Sequence, residues 1–462
     1  MIDFNTISNL YFLGIGGIGM SALARYAKAM GKNVAGYDLT ASPLTKKLEA
    51  EGIAVHYTDD INQLPNSFVP ANTLVVRTPA VPDNLNELRA LQSRSFKMVK
   101  RSQLLGMLTN NHFCIAVAGT HGKTSVSTMI THLLHQSGNQ AGAFLGGISN
   151  NFESNLVLPG PECNLVVTEA DEYDRSFLYL HPSISVVTAV DPDHLDIYGT
   201  FDKLREAFAL FVCNIVPDGK VLFHKRVNLM HLMPCNVSPL CYSVNSKADF
   251  YISELKIENG SYRFNFHTPY MIINDVVMNY PGRVNLENMI GAASVAILAG
   301  ADPMSVCKAI ATFKGVERRF DVRIKTDKVV YIDDYAHHPR ELEATIKSVK
   351  ELFNGKKVCG IFQPHLFSRT NDFAEGFAAS LDLLDKAVIL DIYPARELPM
   401  PGVTSKMIYD LMKLEDKLLM SIDQVPQFIR DNDFDVLITL GAGNIDRLVE
   451  PISELLTAKL NP

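Results

Sequence analysis

Residues 114–127 read C-I-A-V-A-G-T-H-G-K-T-S-V-S. An apolar run ends at Gly119, the chain turns through Thr120, His121 and Gly122, and Lys123-Thr124-Ser125 opens an apolar-periodic segment. Strand, glycine loop and helix in that order make a phosphate cradle. Backbone N–H groups and the positive end of the helix dipole converge on one place. Lys123 adds a point charge there, and the Thr124 hydroxyl is placed to ligate Mg²⁺. The general pattern G-x-x-x-x-G-K-[ST] asks for glycine where this chain has Val117, so what stands is the narrower G-T-H-G-K-T-S.

Other polar clusters follow apolar runs. T-E-A-D-E-Y-D occupies 168–174 and V-D-P-D-H-L-D occupies 190–196, both downstream of the phosphate loop. Carboxylates and a histidine gathered at two successive strand ends suit a divalent cation beside a nucleotide. Later come D-D-Y-A-H-H-P-R-E at 333–341, Q-P-H-L-F-S-R-T at 363–370 and D-I-Y-P-A-R-E-L-P-M-P-G at 391–402. Arg318 and Arg319 stand side by side in G-V-E-R-R-F-D, where guanidinium groups could meet transferring phosphoryl oxygens. Near the start, Gly14-Ile15-Gly16-Gly17-Ile18-Gly19 is a second glycine loop, and Asp38 follows the next apolar run. That βαβ pattern fits a dinucleotide and makes an NAD-linked oxidoreductase the first rival reading.

These clusters need a scaffold of alternating strands and helices. The first βαβ unit takes 10–13 as a strand, a helix through Met20, Leu23, Ala24, Ala27 and Met30, and a strand at 34–37. Further strands are expected at 73–77 and 97–99, closing a first domain near residue 105. The phosphate-loop helix should run from Thr124 to about Ser137. A glycine-rich connection (Gly142, Gly146, Gly147) should lead to strands at 164–167 and 184–189. Alternation over 250–273 around Glu258-Asn259-Gly260 reads as an antiparallel hairpin at the domain edge. A helix then follows Gly282, with Asn285 and Asn288 in its first turn. Regular βα alternation returns from 329, with strands at 329–332, 358–362, 387–390 and 436–440. The expected fold is α/β in three domains: an N-terminal Rossmann-like domain (1–105), a central P-loop ATPase-type parallel sheet with a small antiparallel satellite sheet (106–318), and a C-terminal Rossmann-like domain (319–462).

Composition narrows the partners. With 462 residues, 47% hydrophobic and 20% charged, the chain can fill several cores. A net charge of −7 argues against nucleic acid as a partner. No run reaches the ~18 apolar residues of a membrane span, and the first residues lack the pattern of a signal peptide. No membrane partner and a cytoplasmic location are therefore expected. The seven scattered cysteines, with no C-x-x-C pair, read as unpaired thiols in a reducing compartment.

Taken together in chain order, G-I-G-G-I-G, G-T-H-G-K-T-S, E-A-D-E-Y-D-R-S-F, D-D-Y-A-H-H-P and F-Q-P-H-L-F-S-R-T resemble the Mur ligase family, the amide-forming ligases of peptidoglycan precursor synthesis. Within it, the first glycine loop and P-H-x-[FY]-S-R-T resemble the members that add L-alanine to UDP-N-acetylmuramate. They disfavour those that attach recycled tripeptide, and they disfavour folylpolyglutamate synthetase. The resemblance implies ATP and Mg²⁺, with Mn²⁺ as the alternative ion, and UDP-N-acetylmuramate and L-alanine as substrates; it leaves the oligomeric state open. It implies that Gly119, Thr120, His121, Gly122, Lys123, Thr124 and Ser125 cradle ATP, completed by Asn288 at the adenine, Arg318 or Arg319, and Asp334. Thr124, Glu169 and His194 would surround the metal. Gly14, Gly16, Gly17 and Gly19 would receive the UDP diphosphate, with His121 toward the sugar. Tyr335, His337, His365 and Arg369 would shape the pocket for alanine and the reacting intermediate. Val284 stands where many relatives have histidine in G-x-H-N, and Leu366 where some have arginine, which leaves Arg369 as the clearest carboxylate partner. No modified lysine is expected near Phe208–Phe211.

The implied chemistry is activation of a carboxylate by phosphorylation, then attack of the alanine amine on the acyl phosphate. Lys123, Glu169, His194, Asp334 and His337 are the candidate catalytic groups, with Asp334 and His337 both open as general base. The reaction should require closure of the C-terminal domain, which also excludes water. A non-catalytic, nucleotide-gated binding module is the remaining rival, although no docking feature speaks for it.

Overall fold

The apolar runs become parallel strands, and the polar clusters begin in or just beyond their C-terminal ends. A computed structural model describes residues 4–233, 235, 237–258, 261–395 and 397–460. The described chain divides into two units. The first comprises Met1–Leu255, Phe264–Val277 and Asn288–Phe313; the second comprises Lys256–Arg263, Met278–Glu287 and Lys314–Pro462.

The first unit opens with a five-stranded parallel sheet. Asn9–Leu13 lies at its centre, between Asn33–Tyr37 and Thr73–Arg77, with Ala54–His56 and Lys97–Lys100 outside them. Strand order reverses at the central strand, and the loop 14–19 leaves from that switch point, the place where open α/β sheets bind ligands. The helix Ile18–Ala29 then buries Met20, Leu23, Ala24 and Ala27, the i, i+3, i+4, i+7 face expected of it. Helices Pro43–Ala50, Asn86–Ser93 and Arg101–Thr109 complete this part.

Phe113–Ala118 sits within a second, ten-stranded sheet, paired in parallel with Leu165–Ala170 on one side and Ile184–Val187 on the other. Register sets Val117 opposite Glu169 and Ala118 opposite Val187, so both acidic segments leave the sheet beside the phosphate loop. The helix Lys123–Gln136 packs Val126, Met129, Ile130, Leu133 and Leu134 inward, all fully buried. Each such side chain contributes roughly 1.5–3 kcal/mol relative to exposure. On another face of the helix, His132 reaches the Ala309 carbonyl at 3.1 Å.

Two expectations need correction here. The glycine-rich stretch from Gly142 is a strand, Gly142–Ser149, parallel to Leu165–Ala170 and antiparallel to Ser154–Val157. Glycine ordinarily weakens a strand, but Gly146 is there for close approach: a Cβ on it would lie 2.3 Å from both Glu169 carboxylate oxygens. The thiols are not all unpaired either. Cys213, at the end of the helix Phe201–Cys213, is disulfide-bonded to Cys235, with a Cα–Cα distance of 5.6 Å. Their meeting is tertiary, since a strand at Lys220–His224 intervenes in the chain, so spacing alone gave no sign of it. The other five cysteines are free.

Strands Phe250–Glu258, Ser261–His267 and Ile272–Met278 follow one another in chain order at an edge of the ten-stranded sheet, next to Leu240–Ser243. The expected turn at Asn259-Gly260 lies outside the described residues.

The second unit holds a six-stranded sheet. Its parallel part runs Val330–Asp334, Val436–Leu440, Val358–Phe362, Lys386–Leu390, Lys417–Met420, and Asp321–Lys325 adds an antiparallel edge. That edge strand and Lys417–Met420 were not anticipated: both are short, and the first is charged, as edge strands tend to be. Helix Pro339–Leu352 covers one face with Leu342, Ile346 and Val349, and Ile445, Ile452 and Leu456 belong to a second core cluster. Among the described residues no helix is long and apolar enough to cross a membrane.

Candidate functional site

The phosphate loop is built from conformations its glycines allow. Gly119 has φ +141° and Gly122 φ +84°. No side chain caps the helix at Gly122, so its first N–H groups are left to a ligand. The loop is pinned from the next strand: the Thr120 N–H donates to the Ala189 carbonyl at 3.0 Å, and the Asp191 N–H donates to Thr120 Oγ1 at 3.1 Å. The Thr188 hydroxyl donates to the His121 carbonyl. Thr124 and Ser125 are nearly buried in the first helical turn. Asn288 packs on the loop closely enough that a Cβ on Gly122 would sit 2.8 Å from its Oδ1. Gly122 and Asn288, far apart in sequence, are thus neighbours. His121 lies 3.6 Å from Asp191.

Lys123 is held in a way the sequence did not foretell. Its ammonium donates to Glu172 Oε1 at 2.9 Å, to Glu172 Oε2 at 2.8 Å and to the Gly119 carbonyl at 2.8 Å. Glu172 is fully buried. Burial works against charge on both partners, lowering the lysine and raising the carboxyl. Glu172, Asp171 and Glu169 outweigh it at Lys123, whose pKa stays above the usual lysine range. With both carboxylate oxygens in contact, we take the pair as ionised. Only the motif around Glu172 was visible in sequence; which of its carboxylates faces the lysine depends on the turn after Ala170.

Glu169 instead accepts the Gly146 N–H at 2.8 Å and lies 3.5 Å from the Ser127 hydroxyl. His194, with φ +51°, points Nε2 toward Asp193 and Glu172 at 3.7 and 3.8 Å. Among the described residues no group of three or more His, Cys, Asp or Glu is arranged to hold a metal by itself. A hydroxyl and a cradled carboxylate are nevertheless hard oxygen donors of the kind Mg²⁺ takes when substrate phosphates complete its shell. Thr124 and Glu169 fit such an ion.

At the first glycine loop, the Gly14 N–H donates to the Tyr37 carbonyl and the Gly17 N–H to the Gly14 carbonyl, at 2.8 and 3.2 Å. The Gly16 N–H donates to Asp38 Oδ2 at 2.7 Å. Asp38 is therefore turned onto the loop itself, which weakens the dinucleotide reading of this βαβ unit. Gly19 is packed by Arg101.

The second unit gathers its own cluster at the end of Val330–Asp334. Arg318, with φ +61°, donates to Asp333 at 3.2 Å and to the Gly441 carbonyl at 2.7 Å, and its guanidinium lies 5.3 Å from the Tyr335 ring centre. Arg319 lies 4.7 Å from the same ring. Asp334 is buried and accepts from the Thr345 hydroxyl; burial pushes its pKa up to about 6. His337 donates from Nδ1 to the Tyr335 carbonyl at 3.0 Å, and the same nitrogen faces Glu341 at 3.3 Å. Burial lowers it to about 4, against Glu341 and with help from Arg369 and Arg319. His365 stacks on Tyr393 at 5.9 Å and stands 6.2 Å from His337. Leu366 begins the helix Phe367–Leu381 with φ +69°. Glu397 accepts from the Ser368 N–H at 3.0 Å and from the Ser368 hydroxyl, fixing the turn that carries Arg369. Thr345, Glu341 and Glu397 were missed because their roles come from tertiary placement. Arg396 lies outside the described residues.

Comparison with known proteins gives the family. Three family models match in tandem: Mur ligase family, catalytic domain, at 9–113; Mur ligase middle domain at 117–296; and Mur ligase, glutamate ligase domain, at 318–443. A UDP-N-acetylmuramate–L-alanine ligase of Parabacteroides distasonis is 48% identical over 460 residues, covering 99% of each chain. One from Porphyromonas gingivalis is 47% identical over 453 residues, covering 97% of this chain and 99% of its own. Among solved structures, the UDP-N-acetylmuramate–alanine ligase of Thermotoga maritima superposes with a TM-score of 0.81 at 25% identity, covering 98% of this chain and 99% of its own.

Proposed function

The chain belongs to the Mur ligase family, and on that premise we propose that it joins L-alanine to the lactyl carboxylate of UDP-N-acetylmuramate, converting ATP to ADP and phosphate, in peptidoglycan precursor synthesis. The observation that carries this reading is 48% identity, across 99% of both chains, to a relative named for that ligation. We assign residues 1–105 to the nucleotide sugar, 106–318 to ATP and 319–462 to the amino acid. The tandem family models support that division.

A carboxylate resists amines at neutral pH because its oxygen leaves poorly. Transfer of the γ-phosphoryl group to the lactyl carboxylate makes an acyl phosphate and ADP. The neutral amine of alanine then attacks the carbonyl carbon, and the tetrahedral adduct expels inorganic phosphate. Carboxylate and triphosphate repel each other, so the first step needs positive charge at the transferring group. Lys123 and the loop N–H groups supply it from the phosphate loop, and Arg318 and Arg319 are its counterparts in the second unit. Thr124 and Glu169 would hold Mg²⁺, with His194 beside them. Bound there, the ion would neutralise phosphate charge. Gly14, Gly16, Gly17 and Gly19 receive the diphosphate of the sugar nucleotide, and Asn288 the adenine.

In the second unit, Tyr335, His365 and Arg369 shape the alanine pocket, with Arg369 on its carboxylate. Asp334 and His337 are both unprotonated at neutral pH. Asp334 is the more basic of the two, so we assign it the amine proton.

Purified protein given ATP, Mg²⁺, UDP-N-acetylmuramate and L-alanine should release phosphate only when all four are present. Release without the sugar nucleotide would count against the assignment.

A further inference from the structure

We propose that Glu172 is a resident anion that occupies Lys123 in the phosphate loop and must yield when a nucleotide enters. The inference rests on the ATP role proposed above and adds a residue that the reaction itself does not use.

An ammonium has three N–H donors and no more. At Lys123 three acceptors stand at 2.8–2.9 Å: both oxygens of Glu172 and the Gly119 carbonyl. The group is saturated, so a phosphate oxygen can bind it only by taking the place of one of these. The Gly119 carbonyl belongs to the loop backbone, and its residue is fixed: a Cβ there would meet Thr188 Oγ1 at 2.1 Å and the Ala189 nitrogen at 3.0 Å. The Glu172 side chain is therefore the acceptor that gives way. Its backbone is anchored independently, because the Tyr198 hydroxyl and the Arg175 N–H donate to its carbonyl at 2.6 and 2.9 Å. The carboxylate can rotate while the turn stays. His194 Nε2, 3.8 Å from Glu172 Oε1, is a partner within short reach.

Separating a buried pair is unfavourable, so this contact subtracts from nucleotide affinity while it holds the lysine in place. Glu172 is then a positioning residue, one that weakens ground-state binding.

Calorimetric titration of the folded full-length protein with a non-hydrolysable ATP analogue and Mg²⁺ tests this. E172Q presents one acceptor oxygen where the glutamate presents two and removes the competing charge. Its Kd should fall about tenfold, the scale of one charge-assisted hydrogen bond. A residue with only a structural role would not tighten binding. In a Lys123→Ala background the same substitution should leave Kd unchanged. Unchanged or weaker binding by folded E172Q overturns the proposal while leaving the ligase reading intact; absence of nucleotide binding by the wild type would sink both. Should E172Q not fold, a crystal structure of the wild type with the analogue decides. At least one Lys123–Glu172 contact opening beyond hydrogen-bond distance supports the proposal, and both retained contradicts it.

Discussion

Lys123 and Asp334 show how burial sets chemistry one residue at a time. Lys123→Ala removes the point charge at the phosphates, and turnover should fall by about 10²–10³, read as initial phosphate release. The same change strands Glu172 in the interior, so thermal unfolding should report a loss on the order of 3–5 kcal/mol. Adding E172Q to it should recover part of that loss. Asp334 is pushed up to about 6 by burial, so the native state holds a proton that the unfolded chain has released between about pH 4 and 6. Its contribution to stability is present below that window and is lost as pH rises through it. Asp334→Asn should therefore gain stability relative to wild type by roughly 2–3 kcal/mol between pH 4 and pH 7, measured by denaturant unfolding at each pH. If Asp334 also takes the amine proton, kcat/KM should fall as pH drops through about 6, following a single protonation. At this scale the sequence was legible where a motif names a residue type, as at Lys123, Thr124 and Asp334. It was silent on Glu172, whose partner is chosen by a turn that no pattern encodes.

Elements were legible wherever apolar period and a terminating glycine agreed. The helix expected from Thr124 spans Lys123–Gln136, and the strand expected at 436–440 spans Val436–Leu440. Failures came where a residue's local preference was overridden. The strand Gly142–Ser149 uses glycine because Glu169 lies against it, and of the edge strands Asp321–Lys325 is too polar, and Lys417–Met420 too short, for periodicity to betray. Two glycines with positive φ separate backbone freedom from space. Gly119 has φ +141° and is hemmed in by Thr188 and Ala189; Gly138 has φ +90°, and a Cβ added to it would meet nothing within 4 Å. Gly138→Ala should cost only the backbone penalty, about 1–2 kcal/mol in unfolding free energy. Gly119→Ala should cost more and should also weaken nucleotide binding by at least about tenfold, since the loop must move to accept a methyl group. Equal effects on binding from the two would contradict the loop geometry.

For the molecule as a whole, motif order was the most informative signal, because five short patterns in one sequence constrain each other far more than any one alone. Long-range covalent pairing was the least: nothing in the spacing of Cys213 and Cys235 announced a bridge. In denaturant without reductant, thiol alkylation followed by mass measurement should add five labels, and seven after reduction. Seven in both would remove the bridge from the account. The central claim is that this chain makes an amide by first phosphorylating a sugar-borne acid. Positional isotope transfer tests it most directly: UDP-N-acetylmuramate carrying ¹⁸O in its lactyl carboxylate is turned over with ATP, Mg²⁺ and L-alanine, and the released phosphate is analysed by mass. One ¹⁸O per phosphate, formed together with the alanyl product, is the predicted result. Phosphate free of label, or no alanyl product, would contradict the account.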